Sequence, residues 1–121
     1  MVTKKGRKVS GGKYIKNRKK KANEIGGQRR IIKLGKEKRR SKRVKGGRYK
    51  SFLLRANMIN LLIDGEIKKI SIKNVLETPS NKFLARQNIL TKGTIVETEL
   101  GKAKITNRPS QDGIANGILI G

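Results

Sequence analysis

Glu97 and Glu99 stand two apart in the run TIVETEL, so on a strand their carboxylates project from one face. That spacing suits a paired-carboxylate acid/base site or a hard-cation site. The chain offers little to complete either one. It has no Cys and no His, hence no thiolate or imidazole ligand, no Cys nucleophile and no His general base. Lys102 and Lys104 lie across a turn at Gly101, and cross-strand neutralisation accounts for the two glutamates without chemistry. The stretch NRPSQDG, Asn107 to Gly113, holds a serine, but nothing nearby activates it as a nucleophile. Turn chemistry explains the stretch better. Pro109 fixes its own φ and pushes Arg108 to an extended conformation, Asp112 bonds local backbone, and Gly113 takes a positive φ. Such a loop is a structural connector that presents Arg108. Neither GxxxxGK[ST] nor GxGxxG occurs, so no nucleotide cofactor is expected, and no other cofactor or metal is implied. The chain is therefore read as a non-enzyme.

Charge is what remains. Lys and Arg number 32 against 8 acids, a formal net charge of +24. A pI near 11.2 is the electrostatic footprint of a polyanion binder. No apolar run approaches the roughly 18–20 residues of a spanning helix, and the basic N-terminus lacks the apolar stretch of a signal peptide. A cytoplasmic protein with no membrane and no small-molecule substrate is expected. Aromatic residues are confined to Tyr14, Tyr49, Phe52 and Phe83, too few for the platforms on which single-stranded bases stack. Phe52 and Phe83 are assigned to the core. Recognition is accordingly expected through phosphates, 2′-hydroxyls and RNA shape, with little readout of bases.

At 121 residues the chain holds one domain and a tail. Residues 1–43 carry 19 Lys/Arg and 2 Glu, a net +17; residues 44–121 carry 13 Lys/Arg and 6 acids, a net +7. Hydrophobic residues run the other way, 10 in the first segment and 31 in the second. Only the second can offset its chain entropy by burial. The boundary is placed near Val44, with 1–43 an extended basic RNA-binding arm, solvated when free and ordered on RNA. Within it, GKEKRRSKRVK could instead form one or two helical turns, with Glu37 on the face of Arg40.

Residues 44–121 read as short strands. YKSFLLRANMINLLI and EIKKISIKNVLE flank Asp64-Gly65, a strong hairpin signal. Ile70 and Ile72 face one way and Lys69, Ser71 and Lys73 the other, while Ile67 is out of phase and hints at a bulge. Pro79 ends that strand, and Ser80 or Asn81 caps a short helical turn. TIVETEL and KAKIT form a second hairpin, and IANGILI a last strand. Five or six strands with little helix predict a mainly β fold, a small closed or partly closed β-barrel with a long basic N-terminal extension.

The residues expected to touch RNA are Arg7, Lys8, Lys13, Lys16, Arg18, Lys19, Lys20, Lys21, Arg29, Arg30, Lys36, Lys38, Arg39, Arg40, Lys42 and Arg43 in the arm. Beyond it they are Lys45, Arg48, Lys50, Arg55, Arg86, Lys92 and Arg108.

LTKGTIVETELGKAKITNRPSQDGIANGIL, residues 90–119, resembles the C-terminal signature of the archaeal and eukaryotic small-subunit ribosomal protein family S8e. VLETPSNKF, SGGK, NRKKKANEIG and VKGGRYKSFLLR are similar to other segments of that family, and the short length is similar to its archaeal members. The resemblance implies a structural constituent of the small ribosomal subunit, bound to its ribosomal RNA and to neighbouring ribosomal proteins and not a homo-oligomer. It also marks departures: Ser110 stands where the family usually has Gly, Thr78 where it usually has Asn, and an N-terminal tryptophan is missing. A ribosome-assembly factor and a DNA-compacting architectural protein are the alternatives.

Overall fold

Asp64 and Gly65 take positive φ values of 49° and 85° and join Ile63 directly to Glu66. Two left-handed residues in succession give a turn whose twist matches its strands, and the tight hairpin of β4 (Met58–Ile63) and β5 (Glu66–Glu77) follows. This computed structural model describes residues 6–15 and 18–120. Strand β5 continues to β6 (Ile95–Thr98), which turns back into β7 (Gly101–Ile105) and then β8 (Asn116–Leu119). The last strand pairs in parallel with β4, so the order β4-β5-β6-β7-β8 closes into a barrel. Asn60 Nδ2 donates to Asn116 Oδ1 across this seam at 3.1 Å. The mainly β barrel expected from the strand pattern is present.

Alternation along the strands fills the barrel. Ile59, Leu61, Val96, Ala103 and Ile105 are wholly buried, and Ile70, Ile72 and Val75 line the same core from β5. Two irregularities bend β5 against β6, between Ile72 and Asn74 and between Val75 and Glu77. The bulge expected at Ile67 is not there: Ile67 pairs in register with Leu62 and points outward, 74% exposed.

YKSFLLRANMINLLI is two strands. β3 (Tyr49–Ala56) is separated from β4 at Asn57 and lies outside the barrel, joining β1 (Lys33–Leu34) and β2 (Lys38–Arg43) in a second sheet of order β1-β3-β2. The helical alternative for 35–45 is thus replaced by a strand. KRRSKR lacks a hydrophobic alternation because β2 is an edge strand whose six residues are all exposed; its ladder to β3 holds it.

The folded body also reaches further toward the N-terminus than Val44. Ile32 is 1% exposed and belongs to the hydrophobic core, with Leu34 packed against it. Leu90 N donates to Ile32 O and Leu34 N to Asn88 O, each at 2.9 Å, while β1 runs parallel to β3 on its other side. A boundary at 43/44 therefore cuts between the paired strands β2 and β3.

Two short helices complete the chain. Asn81 Oδ1 accepts from Phe83 N at 3.0 Å and caps α1 (Lys82–Arg86), as the sequence suggests. Phe83 itself is 67% exposed, whereas Phe52 is buried; of the two phenylalanines assigned to the core, only Phe52 is there. Helix α2 (Pro109–Asp112) starts at an extended Arg108 and ends at Gly113, φ 72°. Ser110 sits inside α2 without positive φ, so serine in place of glycine carries no backbone strain.

Candidate nucleic-acid interface

The NRPSQDG loop is built as turn chemistry requires. Asp112 Oδ2 accepts from Arg108 N at 3.0 Å and from Asn107 Nδ2 at 3.2 Å. Asn107 also donates to Ile114 O at 2.8 Å and accepts from Asn116 N at 3.0 Å, fastening the loop to the start of β8. The Arg108 backbone is thereby fixed, while its exposed guanidinium makes no hydrogen bond or ion pair with any described residue. Gly113 faces β3 so closely that an added Cβ would lie 2.5 Å from Ser51 Oγ.

Other cations gather around this loop. Arg30 lies over the Phe52 ring, 3.8 Å from its centroid, and Nη1 donates to Ser110 O at 3.4 Å. It ties the N-terminal segment to both β3 and α2. A groove of about 600 Å³ runs alongside, lined by Arg29, Lys92 and Arg108 together with the apolar Leu90 and Pro109.

Strand β2 makes a second basic surface. Arg40 pairs with Phe52, Ser41 with Ser51, Lys42 with Lys50 and Arg43 with Tyr49. Lys42 and Lys50 project side by side from one face, with Arg40 next along it. Like charges directly opposite each other destabilise a ladder. Among the described residues no acid forms an ion pair with any of these side chains, nor with Lys45 and Arg48 in the β2–β3 turn.

Acids engage few of the expected contact residues. Among the described residues Arg18 pairs with Glu24 at 2.6 Å, Arg39 with Glu37 at 2.9 Å, and Lys68 with Glu66 at 3.9 Å. The Arg18 guanidinium, and then the Lys21 backbone N–H, hold the Glu24 carboxyl below the usual carboxylate range, and Glu24 raises Arg18 in turn. These contacts close a 3-10 turn at Ala22–Glu24, preceded by exposed Lys19, Lys20 and Lys21. Further back, Arg7 Nη1 donates to Gly11 O at 2.9 Å, and Arg7 forms an isolated bridge with Lys13 beside Lys8. Arg55 is on β3, Lys36 precedes β2 with Lys38 at its start, and Arg86 lies 5.8 Å from the Phe83 ring. Lys16 lies outside the described residues.

The paired carboxylates do no visible chemistry. Glu97 opposes Lys102 across β6–β7, and Glu99, in the turn beyond β6, accepts from Ser71 Oγ. No cluster of three metal-ligating side chains occurs among the described residues, and no described helix is long and apolar enough to cross a membrane. Charge alone did not mark Gln28, Ser80 and Gln111, which line the groove beside its cations. Gln111 lay in view within NRPSQDG, but an uncharged side chain in a turn gives no sequence signal.

Fold and surface define a small β-barrel with a strongly basic exterior. The family model for ribosomal protein S8e matches residues 2–120. A small ribosomal subunit protein eS8 of the archaeon Staphylothermus marinus is 47% identical over 94% of this chain and 91% of its own length. Proteins of the same name from Methanococcus aeolicus and Nanoarchaeum equitans are 46% and 44% identical, with the same coverage. The chain belongs to the ribosomal protein S8e family, which is structural and not enzymatic.

Proposed function

We propose that this protein braces folded small-subunit ribosomal RNA, seating lysines and arginines of its N-terminal segment and of the β2–β3 hairpin on phosphates. The ribosome, cytoplasmic in archaea, is its place of work, and neighbouring small-subunit proteins are its other partners. The observation that carries this reading is the opposition of Lys42, on the exposed edge strand β2, to Lys50 on β3, with no acid paired to either among the described residues. Such a pair weakens the free protein and is relieved when a polyanion lies across it.

Each cation on a phosphate steepens the fall of log affinity with log salt by roughly 0.7–0.9. The Lys42→Ala/Lys50→Ala double variant should lower the salt slope on a small-subunit ribosomal RNA fragment by about 1.4–1.8. Its thermal stability without RNA should hold or rise, because a repulsion has been removed. Duplex DNA of matched length should bind more weakly than the RNA. An unchanged slope, or a preference for DNA, would reject the proposal.

A further inference from the structure

The groove beside α2 has a lining that phosphate bracing does not require. Three separate stretches build it: 27–30 before β1, 90–92 before β6, and 108–111 at α2, with Ser80 between them. None of its lining residues is acidic. Arg30 is committed to Phe52 and Ser110, which fixes one wall. Arg29, Lys92 and Arg108 are exposed and make no ion pair or side-chain hydrogen bond with described residues; the side-chain amides of Gln28 and Gln111 are likewise unengaged among them.

Size and chemistry both narrow the ligand. A volume near 600 Å³ is that of a site for a single small ligand. A continuous RNA duplex keeps its bases within the stack and offers such a groove only backbone. An unstacked nucleotide offers a phosphate for the cations and a donor–acceptor edge that an amide side chain can match.

We infer that this groove receives one unstacked nucleotide of RNA, with its phosphates on Arg29, Lys92 and Arg108 and its base edge against Gln28 and Gln111. The inference rests on the RNA-bracing reading above and departs from it in giving the protein a point of base readout.

Two RNA hairpins, identical except for one bulged nucleotide in the stem, separate the two ideas when bound to the full chain at one salt concentration. The bulged hairpin should bind about tenfold more tightly. Lys92→Ala/Arg108→Ala should bring it down to the level of the paired hairpin, with circular dichroism confirming the fold. Gln111→Ala changes no charge and should flatten any ranking among the four possible bulged bases while leaving the paired hairpin unaffected. Lys42→Ala/Lys50→Ala should weaken both hairpins by the same factor. Equal wild-type affinity for the two hairpins, or equal loss on both in Lys92→Ala/Arg108→Ala, overturns the groove assignment and leaves bracing intact. A base ranking unmoved by Gln111→Ala overturns the base contact. If neither hairpin binds in a salt-dependent way, the bracing reading fails and takes the groove with it.

Discussion

Ile32→Ala tests whether the basic N-terminal segment is part of the folded body. Ile32 is 1% exposed and packs in one core with Leu53, Leu90 and the barrel interior, held by the bond from Leu90 N to its carbonyl. Truncating a buried isoleucine to alanine costs roughly 2–5 kcal/mol, the transfer of the lost groups plus the cavity they leave. A small domain has only about 5–15 kcal/mol in total. At roughly 4–8 °C per kcal/mol for a body of this size, a loss of about 3 kcal/mol lowers Tm by about 12–24 °C. Ile31, its neighbour, is 52% exposed and serves as the control; Ile31→Ala should stay within about 0.5 kcal/mol of wild type. Thermal unfolding of the full-length chain by circular dichroism reads both. If the two variants unfold at the same temperature, the segment before β1 is not welded to the core, and the domain does begin near Val44.

Three further outcomes follow from individual contacts. Gly117→Ala should cost about 1–3 kcal/mol in chemical denaturation, since an added Cβ would sit 2.8 Å from both Ile59 Cδ1 and the backbone oxygen of Lys104. Thr78 is wholly buried and its hydroxyl has no hydrogen-bond partner among the described residues, so Thr78→Val should leave the denaturation midpoint unchanged or raise stability by about 1 kcal/mol. Glu24 is held below the ordinary carboxylate range, mainly by Arg18, so the turn at 22–24 is supported above the carboxyl's unfolded pKa and loses that support as pH falls through the lowered one; an NMR titration of the Glu24 side chain should move upward in Arg18→Ala.

Local signals in the sequence were sufficient for most features set by near neighbours, the phase of Ile67 being the exception. Asp64-Gly65, the Asn81 cap, the phase of Ile70 and Ile72, and the Pro109–Gly113 connector each depend on residues within a few positions. The β2 strand was not legible, because an edge strand exposed on both faces has no hydrophobic period and is defined by its partner β3. Ile32 and Leu34 were grouped with the arm for a related reason: two apolar residues in a highly charged run give no period, and what buries them lies near positions 53–56 and 88–90. Phe83 was misassigned because hydrophobicity cannot report which face of a five-residue helix meets the core. The cations were legible as a composition, but the grouping of Arg29, Lys92 and Arg108 arises from long-range topology.

The parallel seam between β4 and β8 sets a timetable for synthesis. Asn60 and Asn116 meet across 56 positions of chain, and until the last strand has been made the barrel has no closed form. Pairings of this separation close late, because loop entropy is lost before the contact compensates for it. The basic residues that precede β4 are polymerised before the barrel strands, so they emerge while their own domain is still an open sheet. A nascent chain of this design meets polyanions with its lysines before it possesses a finished core.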